Sequence, residues 1–157
     1  MPDSAIRRDP ALVPLSHDHQ RGLALCLRLS RWKPGAGNPL EAWTAEVTRE
    51  IDEALLPHFA LEEEVLIPAI ERWMGDRRDA IAHIREDHRR MRTLFERIRK
   101  GGSDLPEALG ELAAILEPHI RSEERVLFPL IQERVPADVL AALAPALHHP
   151  VFCPTGD

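Results

Sequence analysis

Two stretches of this chain carry the residues best suited to chemistry, and they are copies of one another. Pro57-His58-Phe59-Ala60-Leu61-Glu62-Glu63 and Pro118-His119-Ile120-Arg121-Ser122-Glu123-Glu124 each run on into a Val-Leu-x-Pro-x-Ile tail. On a helix, residues four apart lie about 40° apart around the axis and one turn apart along it. His58 with Glu62, and His119 with Glu123, can therefore each present a nitrogen and an oxygen to one point. Two such pairs point to a metal site.

The duplication extends further, because Asp18-His19-Gln20-Arg21 matches Asp87-His88-Arg89-Arg90. The unit is a helix with one inward histidine followed by a helix with inward His-x-x-x-Glu, used twice. The inward inventory is then His19, His58, Glu62, His88, His119 and Glu123. An ionised carboxylate in a bundle core costs several kcal/mol unless paired, and no Lys or Arg occupies the inward stripe at the same level. A bound cation answers that need. Imidazole with carboxylate suits iron, manganese or zinc, and the lack of inward thiolates disfavours iron-sulfur clusters and copper(I). Six ligands with two carboxylates able to bridge suit two ions with coordination positions left open, where O2, peroxide or nitric oxide would bind.

The elements that position these residues read as helices throughout. Ser16 is the expected N-cap of a first helix running to about Trp32, with Leu12, Leu15, His19, Leu23, Cys26 or Leu27 and Ser30 along its stripe. Pro34 to Pro39 forms the connection, with Asn38 as N-cap and Pro39 in the first turn. A second helix is expected from Pro39 to about Met74, bent at Pro57 and Pro68. Its inward stripe reads Leu40, Trp43, Val47, Ile51, Ala54, His58, Glu62, Val65, Ala69 and Trp73. The third runs from about Asp79 to Lys100 with Ile81, Ile84, His88, Met91, Phe95 and Ile98 inward, and Gly101-Gly102 stops it. Asp104 with Glu107 resembles a capping box for a fourth, which ends near Arg134. A short apolar helix from Pro136 to about Leu147 precedes a tail. The expected fold is an all-α, antiparallel up-down four-helix bundle with a short C-terminal helix, forming one domain over residues 1–157.

Bulk properties narrow the function. A chain of 157 residues with 44% hydrophobic and 29% charged residues fits a single packed domain. A net charge of -6 and a pI near 5.7 disfavour nucleic acid or an anionic membrane as partner. No stretch approaches a membrane span, and no apolar leader follows Arg7 and Arg8, which predicts a cytoplasmic protein. The two cysteines, Cys26 and Cys153, read as free thiols in a reducing compartment. Tyrosine is absent, which removes any mechanism needing a tyrosyl ligand. His17, His83, His148 and His149 read as surface residues, and Trp32, Trp43 and Trp73 as packing. Glu63 and Glu124 fit two roles equally: orienting a ligand histidine, or facing solvent.

The ordered set His19, His58-x-x-x-Glu62, His88, His119-x-x-x-Glu123, with its repeated His-x-x-x-Glu-Glu-x-x-Leu-x-Pro tail, resembles the hemerythrin-like HHE cation-binding family over roughly residues 12 to 134. The resemblance implies a non-haem, oxo- or carboxylate-bridged centre of two iron ions, with zinc or manganese as alternatives. It also implies that His19, His58, His88 and His119 are terminal ligands and that Glu62 and Glu123 bridge. The chain departs from the oxygen-carrying hemerythrins. Those have His-x-x-x-His on the third helix, where Ile84 and Arg92 flank His88 at four residues here. Their last motif places the acid five residues after the histidine; this chain offers Glu123 at four and Glu124 at five, and Glu123 is the one that repeats Glu62. The four-His, two-Glu set is closer to that of the iron-centre repair proteins of the same superfamily. Ferritin-like di-iron bundles instead use Glu-x-x-His, and none of the eight histidines has a Glu three residues before it.

Three readings follow. The first is a di-iron module that binds or senses O2, NO or peroxide, or handles iron. The second is a redox enzyme that reduces peroxide or NO or repairs iron centres in a stress response, recognisable by turnover. The third is a bundle that metal merely stabilises. The apolar fifth helix packs either on its own bundle or on a second copy of the chain in a homodimer.

Overall fold

The computed structural model describes residues 7–32 and 40–148, and among these there is no β-strand. The helices are α1 (Val13–Arg31), α2 (40–70), α3 (Arg78–Lys100), α4 (105–134) and α5 (Ala137–His148). The first four form the antiparallel bundle expected. α4 packs against α1 and α3, while α2 packs against α1 and α3 from the other side. No described helix is long and apolar enough to cross a membrane.

Each helix forms for a local reason, and several ends differ from the sequence reading. α1 begins at Val13 with Pro14 in its first turn, where the ring presets φ and the missing N–H is not needed. Ser16 is not the cap: its Oγ donates to Glu124 Oε1 at 2.7 Å across the bundle. Asp104 precedes α4 but makes no cap hydrogen bond, because its carboxylate accepts both Nε and Nη2 of Arg97, each at 2.9 Å. The capping box is therefore not formed. Gly101 and Gly102 adopt φ of 67° and 91° and end α3 as expected. The proposed capping residues Asn38 and Pro39 lie outside the described residues, as do His149 and Cys153.

α2 and α4 pass through their prolines by widening rather than by breaking. π-helical turns cover Ile51–Leu55 and Glu62–Leu66 in α2 and Glu123–Leu127 in α4, ahead of Pro57, Pro68 and Pro129. In the two matched turns, Ile67 N–H donates to the Glu62 carbonyl and Phe128 N–H to the Glu123 carbonyl, five residues back. A π turn contains one extra residue, and after the turn that begins at Glu62 the inward stripe shifts by one. Beyond Glu62 the buried residues are Leu66, Ile67 and Ile70, not Val65, Ala69 and Trp73. Leu127, Phe128 and Ile131 repeat this in α4. The unbroken stripe predicted for α2 is therefore wrong past Glu62, and the extra residue is the reason. α2 also ends at residue 70, followed by 3-10 turns at Glu71–Trp73 and Gly75–Arg77.

Two apolar clusters fill the bundle. One holds Leu25, Ile51, Phe59, Met91, Phe95 and Leu116; the other holds Leu15, Leu66, Ile70, Ile81, Phe128 and Ile131. α5 packs on its own bundle, burying Leu140 and Leu147 in the second cluster. Among the described residues, the buried polar ones are His19, His58, Glu62, Asp87, His88, His119 and Glu123.

Candidate metal centre

All six predicted residues converge in the bundle interior. His19 comes from α1, His58 and Glu62 from α2, His88 from α3, and His119 and Glu123 from α4. Each is no more than 4% exposed. One ligand atom from each of His19, His58, Glu62 and Glu123 falls within a cluster 4.8 Å across, and the same holds for Glu62, His88, His119 and Glu123. The two carboxylates belong to both clusters.

Their oxygens divide accordingly. Glu62 Oε1 lies 2.9 Å from His58 Nε2 and 3.6 Å from His19 Nε2, while Oε2 lies 3.1 Å from His88 Nε2. Glu123 Oε2 lies 3.0 Å from His19 Nε2, while Oε1 lies 2.8 Å from His119 Nε2. Four inward nitrogens thus face four carboxylate oxygens. Both oxygens of both glutamates, and Nε2 of His19 and His58, are buried without a well-aligned hydrogen bond inside the protein. Unpaired buried polar atoms are costly, and this set of nitrogens and carboxylate oxygens is one that could hold a cation.

The outward nitrogens are all engaged, and here the structure adds residues that the sequence reading used only as markers of duplication or left undecided. His58 Nδ1 is 3.0 Å from Asp18 Oδ2, and His119 Nδ1 is 3.1 Å from Asp87 Oδ2. His88 Nδ1 is 3.0 Å from Glu63 Oε1, and His19 Nδ1 is 2.6 Å from Glu124 Oε1. Under the duplication Asp18 corresponds to Asp87 and Glu63 to Glu124, so the pattern obeys the same twofold relation as the inner six. A carboxylate at Nδ1 keeps a proton there and leaves the Nε2 lone pair facing the centre. Glu63 and Glu124 orient histidines rather than face water. The repeated Asp-His dipeptide, with its Asp one residue before each inward histidine, was the available signal for Asp18 and Asp87.

Electrostatics follow from this crowding. Burial alone would lower the basicity of His58, but Glu62 and Asp18 outweigh it and hold the ring at about 9. Burial likewise opposes charge on His119, and Glu123 and Asp87 raise it to about 10. His19 is also raised, against burial, by Glu123, Glu124 and Glu62. Burial would push Glu62 up, yet His58, His19 and His88 hold it below the usual carboxylate range. Glu124, opposed by burial, is brought down to about 2 by His19, Ser16 and Arg8. The carboxylates thus favour a proton on His19, His58 and His119 when no ion is bound.

Aromatic rings wall the centre. Phe59 stacks on His88 with centroids 4.0 Å apart, and Phe128 stacks on His19 at 5.3 Å. A cavity of about 10 Å³ adjoins His19, His58 and His119, with Ala54, Leu55, Leu116 and Ile120 among its walls. Cys26 sits in the first apolar cluster, where burial pushes its thiol up to about 12. His17 and His83 are exposed, as expected.

No curated protein and no solved structure matches this chain. The profile of the Hemerythrin HHE cation binding domain matches residues 12–131, which span all four bundle helices nearly to the end of α4 and all six converging side chains. This chain belongs to the hemerythrin HHE cation-binding family.

Proposed function

We propose that the chain holds two metal ions, iron foremost, with His19 and His58 on one, His88 and His119 on the other, and Glu62 and Glu123 shared between them. The observation that carries this reading is the division of each glutamate's oxygens between two histidine pairs in a site with unpartnered buried atoms. Charge supports it. Glu62, Glu123, Asp18, Asp87, Glu63 and Glu124, set against Arg8 and Arg92, leave four negative charges when the imidazoles are neutral. Two divalent ions would cancel them. The nitrogen and oxygen donor set suits iron, manganese or zinc.

The protein's own part is to present and to exclude. The outer carboxylates fix the rings with Nε2 inward, and Phe59, Phe128 and Leu116 keep bulk water out. Iron held there would supply a redox-active centre with positions open to an exogenous ligand. The adjoining cavity has room for about one water molecule. We infer that the protein binds or responds to O2, NO or peroxide, small ligands that open positions on a buried redox-active centre would take.

The test is spectroscopic. Iron-loaded, reduced protein should change its charge-transfer absorption on addition of O2, NO or hydrogen peroxide, with small azide doing the same on the oxidised form. Sustained consumption of peroxide or NO would move the assignment to the redox enzyme. No spectral response to any of them would leave metal as a stabiliser of the bundle and overturn the ligand-binding reading.

A further inference from the structure

Beyond the four carboxylates, two arginines close the assembly on opposite sides, each bound to one outer carboxylate and lying over one phenyl ring. Arg8 Nη2 donates to Glu124 Oε2 at 2.9 Å and to the Glu124 carbonyl at 3.0 Å. Its guanidinium also lies 5.2 Å over the Phe128 ring, the ring stacked on His19. Arg92 donates from Nη1 and Nη2 to the two oxygens of Glu63 at 3.0 and 2.8 Å. Its guanidinium lies 5.7 Å over Phe59, the ring stacked on His88. Each of these histidines is thus held twice by one arginine: on its edge through a carboxylate, and on its face through a phenyl ring.

The duplication did not produce this likeness. The counterpart of Arg92 in the first repeat is Leu23, and the counterpart of Arg8 is Arg77, which lies beside Asp76. Phe59 corresponds to Ile120, and Phe128 to Ile67. The same arrangement is therefore built twice from unrelated positions, which a demand of the site explains and packing alone does not. The two clamps also differ in support. Arg92 sits in the middle of α3. Arg8 sits on the segment before α1, fastened to α4 by Gln132: the side-chain oxygen accepts Arg8 Nη1 at 3.2 Å and Asp9 N–H at 3.1 Å, and the amide donates to the Arg7 carbonyl at 2.9 Å.

We propose that Arg8 and Arg92 are positioning residues, one for each metal ion, and that the ion beside His19 is the more weakly held because its clamp rides on a non-helical arm. This rests on the two-metal reading. The Arg92 fork holds both oxygens of Glu63 in plane, and Arg8 ties one Glu124 carboxylate oxygen to that residue's own carbonyl, where an ammonium would only attract the charge. The carboxylate in turn fixes the imidazole, and loss of such outer partners typically weakens metal binding about 10- to 100-fold.

Cobalt(II) titrated into the chelator-stripped full chain, read by its d–d absorption, tests this together with ¹⁵N resonances of the imidazoles in the metal-free chain. Wild type should bind two cobalt ions in separable steps. Arg8→Gln should weaken the weaker step about tenfold and spare the tighter; Arg92→Gln should do the reverse; and Arg→Lys at either position should recover only part. In the metal-free chain Arg8→Gln should move the His19 resonances and not those of His88, with the opposite for Arg92→Gln. Equal weakening of both steps by either variant, or unmoved resonances, overturns the proposal. If wild type takes up no cobalt, the two-metal reading and the ranking of ions fall together, and the imidazole resonances still decide whether the arginines position the rings.

Discussion

The metal-free protein should lose stability as pH rises through neutrality, and bound metal should abolish that loss. His58 and His119 are held at about 9 and about 10, above an ordinary value of 6.5. Below pH 6.5 both rings are protonated whether the chain is folded or not, and the stabilisation is fully present. Above it the unfolded chain releases protons that the folded chain keeps. Each ring then costs about 1.4 kcal/mol of stability per pH unit until it lets go near its folded value. For a chain of this size that is roughly 3 to 6 °C in Tm per pH unit per ring. Metal binding needs the bare Nε2 lone pair, so the loaded protein has no such protons to keep. Thermal unfolding followed by circular dichroism between pH 6.5 and 8.5, with and without saturating Fe(II) in the absence of oxygen, measures both slopes. The metal-free Tm should fall while the loaded Tm stays nearly level, so that the gap widens. A level metal-free Tm with a constant gap would refute the reasoning that the carboxylates hold these rings protonated.

Two substitutions probe the frame around the centre. Phe128 is fully buried, stacked on His19 and beneath Arg8, so Phe128→Ala should cost about 3–5 kcal/mol in urea unfolding of the metal-free chain, with the midpoint moving and the slope unchanged. Gly101 has φ of 67° and ψ of -152°, a region open to glycine almost alone; Gly101→Ala should cost about 1–3 kcal/mol by the same assay without altering metal content.

Much of this architecture was legible because one unit is written twice. Repetition set His58-x-x-x-Glu62 against His119-x-x-x-Glu123 and His19 against His88, and the helical period put all six inward without any knowledge of how the helices pack. What the period could not foresee was the insertion of π turns beginning at Glu62 and Glu123. These arise where a proline six residues on removes a helical donor, and they rotate every later side chain by one position, so Leu66 replaces Val65 in the core. The caps failed for a different reason. Ser16 and Asp104 are good capping residues locally, but a carboxylate and a guanidinium from other helices bind them instead. Long-range pairs such as Asp18 with His58 and Arg8 with Glu124 are likewise matters of tertiary packing. Their traces in the sequence are the repeated Asp-His and Glu-Glu pairs.

The central claim is that six buried side chains hold two ions through two shared carboxylates. Its most direct test is the metal content of protein purified without chelators, measured for wild type and for Glu62→Ala. Wild type should carry two metal ions per chain, and loss of one shared carboxylate should lower the occupancy of both positions. No stoichiometric metal in wild type, or a variant that loses one ion and keeps the other at full affinity, would contradict the account.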